Sequence, residues 1–171
     1  MSYTKAENQM EPGSHPNIQF NAAIERWEEE HRVLTANLKE LCSIAEAVDY
    51  KKQGSTWIQT MVDLKKRANE FNQALLLHSN WEEDELFKLV DKYFDEIPSL
   101  FGLIEQEHEQ AERFMDAFIT VVDKNILAMN SLDATKMVTY LKLALSSLEG
   151  HFKKEEDIIN SLADFSNQYG Y

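Results

Sequence analysis

The chain carries one theme twice, 78-HSNWEEDEL-86 and, 73 residues later, 151-HFKKEEDII-159. In each copy a histidine is followed, after three other residues, by Glu-Glu-Asp. At 3.6 residues per turn, positions i and i+4 stand one above the other, so His78 shares a helix face with Glu82, and His151 with Glu155. What these faces are for depends on which way they point.

The neighbouring residues settle the direction. Ile58, Met61, Leu64, Ala68, Phe71 and Leu75 precede His78 at steps of three and four, and the stripe runs on to Leu86. Met137, Leu141, Ala144 and Leu148 precede His151, with Ile158 and Leu162 beyond it. This is the period of a helix face turned to a core, so both His–Glu pairs are expected to point inward.

Two more stripes have the same period. Ile24, Trp27, Leu34, Leu38, Leu41 and Ala45 mark a helix over about residues 17–48, and Phe101, Ile104, Ala111, Met115, Phe118, Val122 and Ile126 mark another. Breaks fall at DYKKQGS (49–55), at Pro98-Ser99 and at NSLDAT (130–135); Ser55 and Asp133 are the expected caps of the helices that follow. The second helix reads as one continuous element ending near Tyr93. Four amphipathic helices with short links predict an all-α fold, an antiparallel up-down-up-down four-helix bundle. Residues 1–16 read as a flexible N-terminal tail, with His15 solvated, and 17–171 as the bundle.

The repeat is wider than the opening motif. WEEEH (27–31) aligns with IEQEH (104–108) at an offset of 77, so the first two helices are echoed by the last two in an internal two-fold pseudo-repeat. His31 lies four after Trp27 and three before Leu34, and His108 four after Ile104, which turns both inward. Four imidazoles and two carboxylates then converge in an apolar core, where each unpaired charge costs several kcal/mol. A single buried histidine is satisfied by one backbone carbonyl; metal ions would coordinate all six groups at once. Imidazole with carboxylate and no thiolate suits iron ahead of manganese or zinc, and argues against calcium and magnesium, which prefer oxygen alone. The two-fold repetition suggests two ions.

Composition narrows the classes further. At 171 residues and 19.9 kDa, with five Gly and three Pro, the chain suits one helical domain. Its net charge of -13 works against nucleic acid or anionic lipid as a partner. No long apolar run and no signal-peptide pattern is present, so no membrane association and a cytoplasmic location are expected. The lone Cys42 falls beside an apolar stripe and is expected to be a buried structural thiol, and Trp27, Phe71, Trp81 and Phe101 are expected in the core. No nucleophile paired with a base, Gly-rich phosphate loop or cysteine cluster competes for a role.

In this order the residues resemble the hemerythrin-like (HHE cation-binding) domain family. Its pattern is a His on the first helix, H-x-x-x-E on the second, a His on the third, and H-x-x-x-E or H-x-x-x-x-D on the fourth. The chain has His31, His78 with Glu82, His108, then His151 with Glu155 and Glu156. The resemblance covers about residues 17–162 and implies a non-haem di-iron centre in which Glu82 and, by the repeat, Glu155 bridge two irons, with an oxo or hydroxo bridge between them. Glu156 matches the alternative spacing of the fourth-helix carboxylate. The family's oxygen carriers have H-x-x-x-H on the third helix, whereas here Glu112 stands four after His108. Glu112 either completes the coordination or lies at the edge of the stripe in solvent.

That departure looks more like the iron-sulfur repair, nitric-oxide-response or iron-sensing branches than like oxygen storage. The implied function is binding or reducing oxygen, nitric oxide or peroxide, in stress response or iron handling. The alternative is an iron or oxygen sensor without turnover, and whether the chain is an enzyme stays open. A redox activity would need an electron donor from outside the chain. Glu28 and Glu105 form Glu-x-x-His, a ferritin-like motif, but on the wrong helices. These two, with Glu30 and Glu107, are read as partners of the histidines or as a solvated face, the solvated face being favoured for Glu30 and Glu107, about 100° around from their His. Glu83, Asp84 and Asp157 are likewise read as a solvated flank.

Overall fold

The apolar stripes become helices in the computed structural model, which describes residues 16–48, 56–94 and 98–169. In chain order these are α1 (Pro16–Glu46), α2 (Thr56–Trp81), a π-helical turn (Glu82–Leu86), α3 (Phe87–Tyr93), α4 (Pro98–Asn125) and α5 (Ser131–Tyr169). Pro16 and Pro98 each open a helix, where proline's missing N–H is no loss. The rest of the expected tail, with His15, and the Ser55 cap lie outside the described residues.

Two local expectations are corrected. The cap of α5 is Asn130 rather than Asp133: the Asn130 side-chain oxygen accepts from the Asp133 backbone N–H at 2.9 Å. An Asn one residue before the helix reaches the third free N–H, and Asp133 sits within the first turn, where its charge suits the helix dipole. The second rod is also not one uniform helix. On α2 and its continuation 78, 82, 86 and 90, among the least exposed of the buried positions, stand four apart, with 79, 81 and 87 buried beside them. Each four-residue step overshoots a 3.6-residue turn by about 40°, and the wider π turn takes that drift back. Its bond runs from the Phe87 N–H to the Glu82 carbonyl. The matching part of α5 has the row 151, 155, 159 and 162, with 152 buried beside it; the row closes with a step of three and the segment stays α-helical.

The four rods form a ring, with α1 against α2 and α5, and α4 against α2 and α5. Lys65, Asn72 and Glu83 pair in order with Asp123, Asp116 and His108, so α4 descends as α2 and its π turn climb. Arg67 with Glu40 and His78 with Glu30 set the same opposition between α1 and α2. This is a four-helix bundle.

Its core is in two parts. The larger holds Leu34, Leu38, Met61, Leu75, Met115 and Leu148 among others, with Cys42 half-buried against it. The smaller, at the other end, holds Phe20, Trp27, Trp81, Phe87, Phe101 and Ile104. On every rod the inward histidine falls between the two, so a polar layer divides the apolar interior. Among the described residues no helix is long and apolar enough to cross a membrane.

Candidate metal centre

Each histidine arrives in this layer by its spacing from apolar neighbours, and each is held by its own rod: His31 on α1, His78 on α2, His108 on α4 and His151 on α5. Glu82 opens the π turn and Glu155 lies one turn beyond His151. All six are buried, none more than 6% exposed. Two groups have donor atoms within 4.8 Å of one another, His31 with His78, Glu82 and Glu155, and His108 with His151 and Glu155.

The carboxylates lie across the middle. Glu82 turns Oε1 to His78 Nε2 at 3.0 Å and His31 Nε2 at 3.6 Å, and Oε2 to His108 Nε2 at 3.2 Å. Glu155 turns Oε1 to His151 Nε2 at 2.8 Å and His108 Nε2 at 3.2 Å, and Oε2 to His31 Nε2 at 3.1 Å. Each carboxylate thus divides its two oxygens between the histidine pair of one half and that of the other. His31 Nε2, His78 Nε2, His151 Nε2, Glu82 Oε2 and Glu155 Oε2 are buried without an aligned hydrogen bond, although they crowd together. Such orphans are rare in protein interiors, and five at one point are the lone-pair set a cation would satisfy.

A second rank of carboxylates grips the far side of the rings. Glu30 lies 2.7 Å from His78 Nδ1, Glu107 2.7 Å from His151 Nδ1, and Glu83 2.9 Å from His108 Nδ1. A carboxylate only accepts, so each of these Nδ1 atoms carries the proton and its Nε2 faces the centre. Glu30 and Glu107 in turn hold a cation on their other oxygen, Arg26 at 2.7 Å and Lys154 at 2.6 Å. Arg26 also lies over Trp81, 4.1 Å from the ring.

Charge follows this geometry. Burial pushes the Glu82 carboxyl up, but contacts with His108, His31 and His78 outweigh it and hold it well below the usual range. Burial and the Glu82 charge push Glu155 up, and the histidines bring it down. Burial pulls His108 down, yet Glu155 and Glu82 raise it to about 11. His78 and His151 are raised as well, their carboxylates prevailing over burial.

Several expectations change. Glu30 and Glu107 are not solvated flank: a residue about 100° from an inward His faces the next rod, and there each meets that rod's histidine. Glu83 is no flank either, since the π turn aims it at His108. Asp84 and Asp157 are exposed, as are Glu28 and Glu105, which touch none of the histidines. Glu156 is exposed, five residues past His151 and off its face, and lies outside both groups. Glu112 is half-buried and also outside them; burial raises its carboxyl, against the attraction of His108.

One polar contact had no place in the sequence reading. Trp27, besides filling core, donates its indole N–H to Glu82 Oε1 at 2.8 Å and stacks on His31 at 3.8 Å between ring centroids. Its spacing, four before His31, was the available signal.

The family model described as the hemerythrin HHE cation binding domain matches residues 22–163. That span contains all six central residues and the three carboxylates behind them. Neither the curated proteins nor the solved structures gave a match.

Proposed function

Because the chain belongs to the hemerythrin HHE cation-binding domain family, we propose that the polar layer holds two iron ions and presents them to a small diatomic or peroxide ligand. The ligands in this reading are His31, His78, Glu82, His108, His151 and Glu155. The observation that carries it is the division of each carboxylate between the two histidine pairs, the arrangement a carboxylate needs to bridge two ions. Manganese and zinc are the alternatives that the same donors allow. Glu112 and Glu156 take no part.

The chain's own residues supply position, charge and dryness. Glu30, Glu83 and Glu107 keep the proton on Nδ1, so each Nε2 offers its lone pair inward once deprotonated. Glu82 and Glu155, held ionised, add two negative charges against the ions. The apolar clusters on either side exclude bulk water, leaving small uncharged molecules as the natural visitors. Bound iron would supply redox chemistry and a coordination position for oxygen, nitric oxide or peroxide, in stress response or iron handling, with electrons from an external donor.

A sensor reading has its own support. The five orphaned atoms lie where all four rods meet, so metal occupancy feeds directly into bundle stability. Metal analysis with ultraviolet-visible spectra, after anaerobic reconstitution and again in air, tests the centre. About two irons per chain are expected in the unaltered protein and in Glu156→Gln, and a large loss in the His78→Ala, His151→Ala double variant. Unchanged iron in the double variant would refute the reading. Turnover of nitric oxide or peroxide by the reduced protein favours an enzyme; iron-dependent melting without turnover favours a sensor.

A further inference from the structure

Three of the four histidines are gripped from behind and one is not. Glu30, Glu83 and Glu107 sit on the Nδ1 atoms of His78, His108 and His151. Both ion-pair contacts of His31 are at Nε2, with Glu155 and Glu82, and among the described residues no carboxylate pairs with its Nδ1. Its ring is held by packing instead, stacked on Trp27 at 3.8 Å and edge-on to Phe152 at 5.0 Å.

The cause is the place where the internal repeat fails. Across the repeat His108 corresponds to His31 and Glu83 to Glu156, so the partner that would grip His31 is Glu156. On the first copy the π turn aims Glu83 at His108. On the second copy α5 runs straight through, and Glu156 is left exposed in solvent.

We propose that His31 is the exchangeable ligand of the centre. The half formed by His31 and His78 gives up its ion more readily than the half formed by His108 and His151, and the position His31 vacates is the one that opens to an incoming small ligand. This rests on the two-ion reading above. A carboxylate on Nδ1 fixes the tautomer, orients the ring and raises the basicity of Nε2, and its removal weakens metal binding by about 10–100-fold. Stacking fixes the plane of the His31 ring but not which nitrogen carries the proton. With no carboxylate among the described residues demanding the proton at Nδ1, His31 is free to carry it on Nε2, which lies 3.1 Å from Glu155 Oε2. That tautomer competes with the metal for the same nitrogen. In the other three rings it is opposed by the carboxylate behind.

The test is chelator-driven release from the full chain loaded with zinc, followed by colorimetry and by Trp27 fluorescence. Release is expected in two phases at least about tenfold apart, with Trp27 reporting the fast one. His31→Ala removes the fast phase and leaves the slow ion within about threefold of its original rate; His151→Ala accelerates the slow phase. Two ions leaving in one phase, or equal damage from the two variants, overturns the inference alone. Saturation well below two ions per chain instead removes the reading beneath it. Nitrogen-15 spectra of the metal-free protein give a readout that needs no variant to fold: the Nδ1 proton is expected on His78, His108 and His151 and not on His31. Finding it on His31 overturns the inference.

Discussion

Without metal, the polar layer should make the protein lose stability as pH rises through neutrality. The raised histidines bind a proton in the folded state that they have released in the unfolded chain. Stability from such groups is full below their ordinary value of 6.5 and falls as pH climbs toward the folded value. For His108 that value is about 11, so the loss continues across the whole accessible alkaline range. Each pH unit above 6.5 removes about 1.4 kcal/mol per such proton, which makes roughly 3 kcal/mol by pH 9 from His108 alone. His78 and His151 add to it in the same direction. At about 2–4 °C per kcal/mol for a chain of this size, the midpoint should fall by roughly 6–12 °C between pH 6.5 and 9. The lowered carboxylates act oppositely: their contribution is present above 4.5 and is lost as pH falls below it. Metal-free protein should therefore be most stable between about pH 4.5 and 6.5. Metal replaces the inward protons, so the loaded protein should gain on the metal-free one as pH rises. Thermal melts by circular dichroism, with and without metal, measure both curves. A metal-free midpoint that is flat or rising from pH 6.5 to 9 would refute the charge assignment.

Three further outcomes test the local structure by chemical denaturation. Trp27→Phe keeps a ring on His31 but removes the donor to buried Glu82, and should cost about 1.5–3 kcal/mol, the range for a hydrogen bond to a charged group. Asn130→Ala should cost about 1 kcal/mol by removing the cap of α5, whereas Asp133→Ala should cost only the few tenths due to its place near the helix dipole. Gly102 and Gly150 lie inside helices with open space where a Cβ would go, so Gly102→Ala and Gly150→Ala should each stabilise by about 0.5–1 kcal/mol.

The spacing rules reached as far as helix faces reach. His31, His78, His108 and His151 each lie three or four residues from apolar neighbours, and that alone turned them inward; Glu82 and Glu155 followed one turn on. What the rules could not reach was contact between rods. Glu30 serves a histidine on α2 and Glu107 one on α5, and spacing along one helix leaves partner and solvated readings open for each because the histidine it meets is on another rod. The cations behind them are still less regular. Arg26 and Lys154 do the same work in the two halves from unrelated positions, Arg26 facing Leu103 across the repeat and Lys154 facing Trp81.

The π turn shows how a small packing difference becomes a chemical one. HSNWEED and HFKKEED share their histidine and their carboxylates, and what sets their burial apart comes after: Leu86 and Val90 want burial four and eight residues past Glu82, Ile159 and Leu162 four and seven past Glu155. A step of seven is two α-helical turns, and a step of eight is not, so only the first copy must widen. The widening is spent within one turn, yet it falls on the residue after the inward glutamate and decides whether that residue reaches a histidine. Two segments with the same histidine and the same three carboxylates therefore build unlike halves, and the difference originates in the apolar residues that follow them, Leu86 and Val90 against Ile159 and Leu162.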